Sequence, residues 1–185
     1  MNEDAVCFRF YHIFLCASVS LCWKHLRKQF VLLPRLELMR GGATRVRRAR
    51  LADAPRIAIL AAQLGYPSTA PEVRKRLERI RHRDGHFVAV AVTAGTVVGW
   101  VHTFVKYSID AAPRAEIGGL VVDENHRRLG LGKLLMATAE EWARLRDLEG
   151  VYLRSNVLRQ HAHAFYEAIG FRKIKSQHCF LKLLG

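Results

Sequence analysis

From residue 44 onward, apolar positions recur at two different periods, and the switches between them divide the chain into elements. ATRVRRAR (residues 43–50) alternates enough to predict a first strand. Asp53 followed by Pro55 marks the start of a helix that runs through Gln63, where Gly65, Tyr66 and Pro67 break it. Ser68-Thr69 and Pro71 open a second helix, PEVRKRLERIRHR, with Val73, Leu77 and Ile80 as its apolar stripe. HFVAVAV and VVGWVHTFV are β-rich runs joined at hairpin spacing by Thr93-Ala94-Gly95-Thr96, and AEIGGLVV is a fourth strand. Next, Leu131, Leu134, Leu135, Thr138, Trp142 and Leu145 fall on one face of a third helix. VYLRSN (residues 151–156) reads as a fifth strand, HAHAFYEAI as a fourth helix, and FRKI and HCFLKLL as two final strands. The order β-α-α-β-β-β-α-β-α-β-β, without internal repeat or low-complexity tract, predicts one mixed sheet flanked by helices.

Residues 1–43 break this pattern. The uncharged stretch from Phe10 to Trp23 is shorter than the roughly 20 apolar residues a membrane-spanning helix needs. Glu3 and Asp4 precede it in place of a basic cluster, and no small-residue cleavage site follows, which argues against a secretory leader. The expected division is an N-terminal extension over 1–43, disordered or upstream of a true start at Met39, and one domain over 44–185.

Charge narrows the class of partner. Lys plus Arg number 30 against 16 Asp plus Glu, a formal +14, which suits an anionic partner without choosing among nucleic acid, a membrane surface and a phosphorylated small molecule. The basic residues are spread over helices and turns, and no nucleic-acid-binding motif accompanies them. Of four cysteines, Cys7, Cys16 and Cys22 lie in the extension and Cys179 alone in the body, so no disulfide framework is implied and a reducing cytoplasm is the expected compartment.

The densest chemistry lies in VVDENHRRLGLGKLL, between the fourth strand and the third helix. Gly130 and Gly132 let a ligand approach the backbone closely, and the first amides of a helix lack intrahelical acceptors and attract anions. Arg127, Arg128 and Lys133 add full charges at the same place, so the turn reads as a phosphate cradle. It is not a Walker A loop, because Leu134 stands where the hydroxyl after Lys133 would bind magnesium. It is not a dinucleotide fingerprint either, because the third glycine position is Leu135.

Arg127-Arg128-Leu129-Gly130-Leu131-Gly132 instead completes the pattern [RQ]-x-x-G-x-[GA], and with AEIGGLVV before it and AHAFYEAIGFRK after it the body resembles the GNAT superfamily of acetyl-CoA-dependent N-acetyltransferases. The resemblance implies an α/β fold with a largely antiparallel sheet of about seven strands, four helices, and parallel fourth and fifth strands that splay apart. It places the coenzyme pyrophosphate on Arg127, Arg128, Leu129, Gly130, Leu131, Gly132 and Lys133, and the pantetheine arm along the backbone of Leu120, Val121 and Val122. Gly118-Gly119 would allow the kink that opens the sheet. Glu116, 14 residues before Gly130, matches the position of a glutamate that takes the amine proton, often through water. A carboxylate is a weak base for an ammonium, so partial burial or a water relay would be needed. Tyr166 matches a tyrosine that protonates the departing thiolate; the alternative is a packed aromatic with a wet hydroxyl.

One departure from the usual pattern is Arg159, seven residues before the tyrosine, where many members carry Asn. R-x-x-A-H-x-F-Y and the closing F-x-K-x-L are similar to the aminoalkylphosphonate N-acetyltransferase branch, which implies that Arg159 contacts the coenzyme or an acidic substrate and that His163 orients one of them. Tyr66, in the connection that lines the acceptor site in this family, is a candidate wall residue.

No metal is expected: Asp84-Gly85 interrupts any helix between His82 and His86, and His161 and His163 would point to different faces. Cys179 is expected to be a buried strand cysteine. The implied activity is acetyl transfer from acetyl-CoA to a primary amine of a small molecule, by direct attack in a ternary complex. The alternatives are a protein N-terminal or lysine acetyltransferase, a non-catalytic coenzyme A sensor, and a nucleic-acid-binding protein. Expected partners are acetyl-CoA and the amine, with neither nucleic acid nor membrane, and a homodimer is left open.

Overall fold

The computed structural model describes residues 44–184, and the expectations for the N-terminal extension lie outside them. Five strands form one sheet in chain order: β1 (Thr44–Arg48), β2 (His86–Thr93), β3 (Thr96–Lys106), β4 (Arg114–Val122) and β5 (Val151–Leu153). The first four are antiparallel neighbours, and β5 pairs parallel to β4. The helices are α1 (Ala54–Gln63), α2 (Ala70–Arg81), α3 (Leu131–Arg144) and α4 (Gln160–Ala168).

Local chemistry sets most boundaries. Ala94 (φ 48°) and Gly95 (φ 80°) are both left-handed between the paired Thr93 and Thr96, the two-residue turn whose twist suits a β-hairpin. α2 begins in a reciprocal cap, with Glu72 N–H donating to Thr69 Oγ1 and Thr69 N–H donating to a Glu72 carboxylate oxygen at 2.8 Å. Asp53 precedes α1 as expected, yet its carboxylate accepts from Arg47 at 2.7 Å on each oxygen and from the Arg50 amide, tying β1 to the turn that follows.

The two faces of the sheet bury different helices. α3 lays Leu131, Leu135, Met136, Ala139 and Trp142 on a core with Val46, Phe87, Ala89, Val101 and Ala115. On the opposite face α1 and α2 pack Ile57, Leu60, Val73 and Leu77 against Val90, Val92, Val97 and Val121. Of the expected α3 stripe, Leu131, Leu135, Thr138 and Trp142 are buried and Leu134 packs on the core from a half-buried position.

Two expectations need correction. The sheet has five strands among the described residues, not about seven: FRKI and HCFLKLL form no strand, and residues 172–184 are exposed, with Phe180, Leu181 and Leu184 open to solvent. A β-rich composition makes a strand only where a backbone edge accepts it, and β5, the outermost strand, offers three residues. Cys179 is therefore an exposed thiol, not a buried one. Among the described residues no helix is long and apolar enough to cross a membrane, and no group of three metal-binding side chains forms.

Candidate active site

The sheet opens where the glycines predicted a kink. His102 pairs with Gly119 and Thr103 with Ile117, so Gly118 is the extra residue of a bulge in β4. A methyl group at Gly119 would come within 2.7 Å of the Trp100 ring, so glycine is what lets that ring pack against the strand. The ladder between β4 and β5 covers only Ala115–Ile117 and Val151–Leu153. Beyond it, residues 118–122 keep the edge that faces away from β3 unpaired by any strand among the described residues. Unpaired backbone groups of this kind accept an extended ligand as they would another strand. Leu120, Val121 and Val122, the expected pantetheine-binding residues, lie in this stretch.

The glycine turn follows at the end of the open edge. Gly130 is the N-cap of α3 with φ 77°, and Arg128 also adopts a left-handed φ of 63°. Leu134 N–H is the first α3 amide to reach back, to the Gly130 carbonyl at 3.0 Å, which leaves the amides of residues 131–133 without an intrahelical acceptor. Nothing lies within 4 Å of where a Gly130 side chain would begin, so the turn faces open space. Arg127, Arg128, Leu129 and Lys133 are exposed around it, while Leu131 is buried and anchors the helix. Gly132 has a second reason to be small, since a methyl there would lie 3.2 Å from the Phe165 ring of α4.

That contact seats Tyr166 beside the same helix start. Its ring packs against Phe165 and Phe171 at centroid separations of 5.2 and 5.9 Å. Burial raises the phenol above its ordinary pKa near 10, partly offset by the charge of Arg159, so it stays protonated at neutral pH. Arg159 itself donates to the Leu64 carbonyl at 2.5 Å, tying the start of α4 to the end of α1. His163 contacts the Asn156 carbonyl through Nε2 at 3.0 Å, which fixes the loop after β5. Tyr66 projects from the α1–α2 connection, 66% exposed.

Glu116 sits at the foot of the splay, paired with Phe104 on one side and Tyr152 on the other. Its side chain is 2% exposed, and both oxygens are ion-paired: Oε1 with Arg154 at 2.7 Å and Oε2 with Lys106 at 3.3 Å. Lys106 and Arg114 also lie over the Tyr152 ring, 5.6 and 6.0 Å from its centroid. Sequence reading missed both cations, because Lys106 reaches Glu116 from β3 and Arg154 from just after β5, and they match no linear motif. It also missed His102, which shares a strand face with Phe104, stacks on His86 at 5.4 Å, and shares a hydrogen bond between its Nε2 and His86 Nδ1 at 3.2 Å. Burial, and secondarily the nearby His86, depress His102 to a pKa of about 4, so its ring is neutral at pH 7.

The chain is similar to known acetyltransferases. A sequence profile described as the Acetyltransferase (GNAT) family matches residues 55–171. The chain is 33% identical over 85 residues to N-acetylaspartate synthetase of Danio rerio, covering 46% of this chain and 29% of that protein. It is also 33% identical over 85 residues to N-acetyltransferase family 8 member 3 of Mus musculus, covering 45% of this chain and 38% of the relative. The chain thus spans well under half the length of these curated relatives. Among solved structures, an aminoglycoside N-acetyltransferase in complex with CoA superposes with a TM-score of 0.69 at 18% identity, over 78% of this chain and 98% of that one. At that identity the likeness speaks for the fold.

Proposed function

Because the chain belongs to the GNAT acetyltransferase family, we propose that it transfers the acetyl group of acetyl-CoA to a primary amine of a small molecule, by direct attack within a ternary complex. The observation that carries this reading is the continuity of the unpaired β4 edge with the open turn at Gly130, a strand-like slot ending in a phosphate cradle. The amides and cations of Arg127 to Lys133 would hold the pyrophosphate, and residues 120–122 the pantetheine arm. Tyr166, half-buried and protonated, would give its proton to the departing thiolate. No metal is required, since a neutral amine is a sufficient nucleophile for a thioester held in reach. Exposed Cys179 suits a reducing cytoplasm.

Glu116 supplies the negative charge that meets the incoming ammonium. It is outnumbered, however, because one carboxylate faces Lys106 and Arg154. A polycationic acceptor would find net positive charge at this end of the cleft, whereas an amine that also carries an acidic group would give the two cations a partner. That balance favours an acidic amine, in line with the likeness of the Arg159 motif to the aminoalkylphosphonate branch. Arg159, held on Leu64, lines the acceptor side under this reading and leaves the cradle to the glycine turn.

Turnover of acetyl-CoA against a panel tests all of this: aminoalkylphosphonates, amino acids, simple alkylamines, aminoglycosides and peptides with free N-termini. The expected result is a kcat/KM for acidic amines at least about tenfold above that of size-matched alkylamines, as a gain of about 1.4 kcal/mol implies. A preference for peptides would move the acceptor to protein, and acetyl-CoA binding without turnover of any amine would leave a coenzyme sensor.

A further inference from the structure

The geometry points to His102 as the group that accepts the amine proton, with His86 passing that proton on to solvent. This assignment rests on the acetyltransferase reading and adds a base that the sequence motif does not contain. Three observations carry it.

The first is position. His102 is the β3 residue opposite the β4 bulge, and a methyl group built at Gly118 would lie 3.0 Å from its Nδ1. The imidazole therefore fills the space that a side chain at position 118 would occupy, at the point where β4 parts from β5. Gly118 is exposed and His102 half-buried, so this ring edge lies beside a solvent-facing point of the splay.

The second is the state of Glu116. Both its oxygens already hold cations, so an amine proton arriving there would compete with Lys106 and Arg154 for the same carboxylate. A carboxylate in that position is suited to attract an ammonium toward the sheet by its charge, while its proton-accepting sites are shared with two resident cations.

The third is the connection onward. His102 Nε2 and His86 Nδ1 share a hydrogen bond, and His86, at the start of β2, is itself half-buried. With the hydrogen on His102 Nε2 donated to His86 Nδ1, Nδ1 of His102 presents a lone pair toward Gly118. The charge acting on the pair is that of Arg83 before β2, felt by His86, while Glu116 with Lys106 and Arg154 stands beside Phe104, whose ring stacks on His86 at 5.6 Å. Burial of His102 and the Arg83 charge beside His86 both oppose a resident proton, so the pair is suited to transmitting a proton, not to storing it.

The step balances as follows. The ammonium loses one proton to His102 Nδ1 as the Nε2 proton moves to His86 Nδ1 and the His86 Nε2 proton leaves to water. The amine lone pair then forms the C–N bond and the C–S bond breaks. The thiolate takes the Tyr166 proton, and the resulting phenolate is refilled by the second proton that the substituted nitrogen sheds.

The test compares His102→Gln, His102→Ala and His86→Gln with the native enzyme, using the best amine of the panel and following thermal melting and the acetyl-CoA KM. Replacing the base should lower kcat by about 10² or more in His102→Gln, within the usual range for general-base catalysis, with the acetyl-CoA KM unchanged. Added imidazole should restore His102→Ala in proportion to its concentration, which a packing role would not produce. His86→Gln should lose less, because water can replace the second relay member. A folded His102→Gln enzyme with native kcat while chemistry limits the rate overturns the assignment, as does failure of imidazole to rescue a folded His102→Ala enzyme. If His102→Gln does not fold, the imidazole response of His102→Ala decides the assignment, and a native kcat in His86→Gln overturns only the passage of the proton through His86. A native enzyme inactive on every amine is a different result: it removes the acetyltransferase reading, and the relay with it.

Discussion

Gly130→Glu is expected to lose acetyl-CoA affinity by about a hundredfold or more while remaining folded. Space around Gly130 is open, so the carboxylate would project into the place assigned to the pyrophosphate. Two like charges about 5 Å apart at an effective dielectric of about 20 repel by roughly 3 kcal/mol, which sets that factor. The left-handed φ of 77° adds strain that has nothing to do with charge. Gly130→Asn is the control, since asparagine tolerates that conformation and brings no charge. Calorimetric titration should place Gly130→Asn within about tenfold of the native affinity, a window of 1.4 kcal/mol. A folded Gly130→Glu protein that binds acetyl-CoA normally would remove the cradle from this turn.

Tyr166→Phe is expected to lower kcat by about 10²-fold or more with little change in the acetyl-CoA KM, because the hydroxyl matters chiefly once the thiolate forms. Packing should survive, since the ring contacts with Phe165 and Phe171 do not involve the hydroxyl. The pH profile gives a second signature. Burial raises the phenol's folded-state pKa above its ordinary value near 10, so the proton is present at neutral pH and is lost only as pH rises through the raised value. The native enzyme should therefore show an alkaline fall in kcat above pH 10, and Tyr166→Phe should lack it. Normal kcat in the variant, with chemistry rate-limiting, would reduce Tyr166 to a packed aromatic.

What could be read directly from the sequence was local. The Ala94-Gly95 turn, the Thr69–Glu72 cap and the α3 stripe each depend on residues within a few positions of one another, and each forms. Gly118-Gly119 signalled a bulge correctly because a doubled glycine inside a strand has few other uses. The parts that escaped notice depend on register. Lys106 and Arg154 meet Glu116, and His86 meets His102, only because the register of neighbouring strands and of the loop after β5 aligns them there. Asp53 shows how the two levels compete: its spacing suited a helix cap, but Arg47 in β1 offers a bidentate partner that outweighs the helix amides. The two final strands failed for the related reason that a sequence can state a preference for extended backbone but cannot supply its neighbour.

The sheet's chain-order arrangement also bears on how the molecule forms and breathes. β1 through β4 meet through antiparallel neighbours, whereas β5 joins only after the whole α3 crossover has been placed, and then through three residues. Such a late, short ladder closes a long loop for little reward, so it belongs among the first parts to open in the native state. Backbone amides of residues 151–153 would exchange with solvent sooner than those of β2 and β3. The slot proposed for the coenzyme is hinged on this same ladder, so a ligand lying along β4 would slow that exchange as it fills the gap, and a weak seam of the fold would become one that its own ligand strengthens.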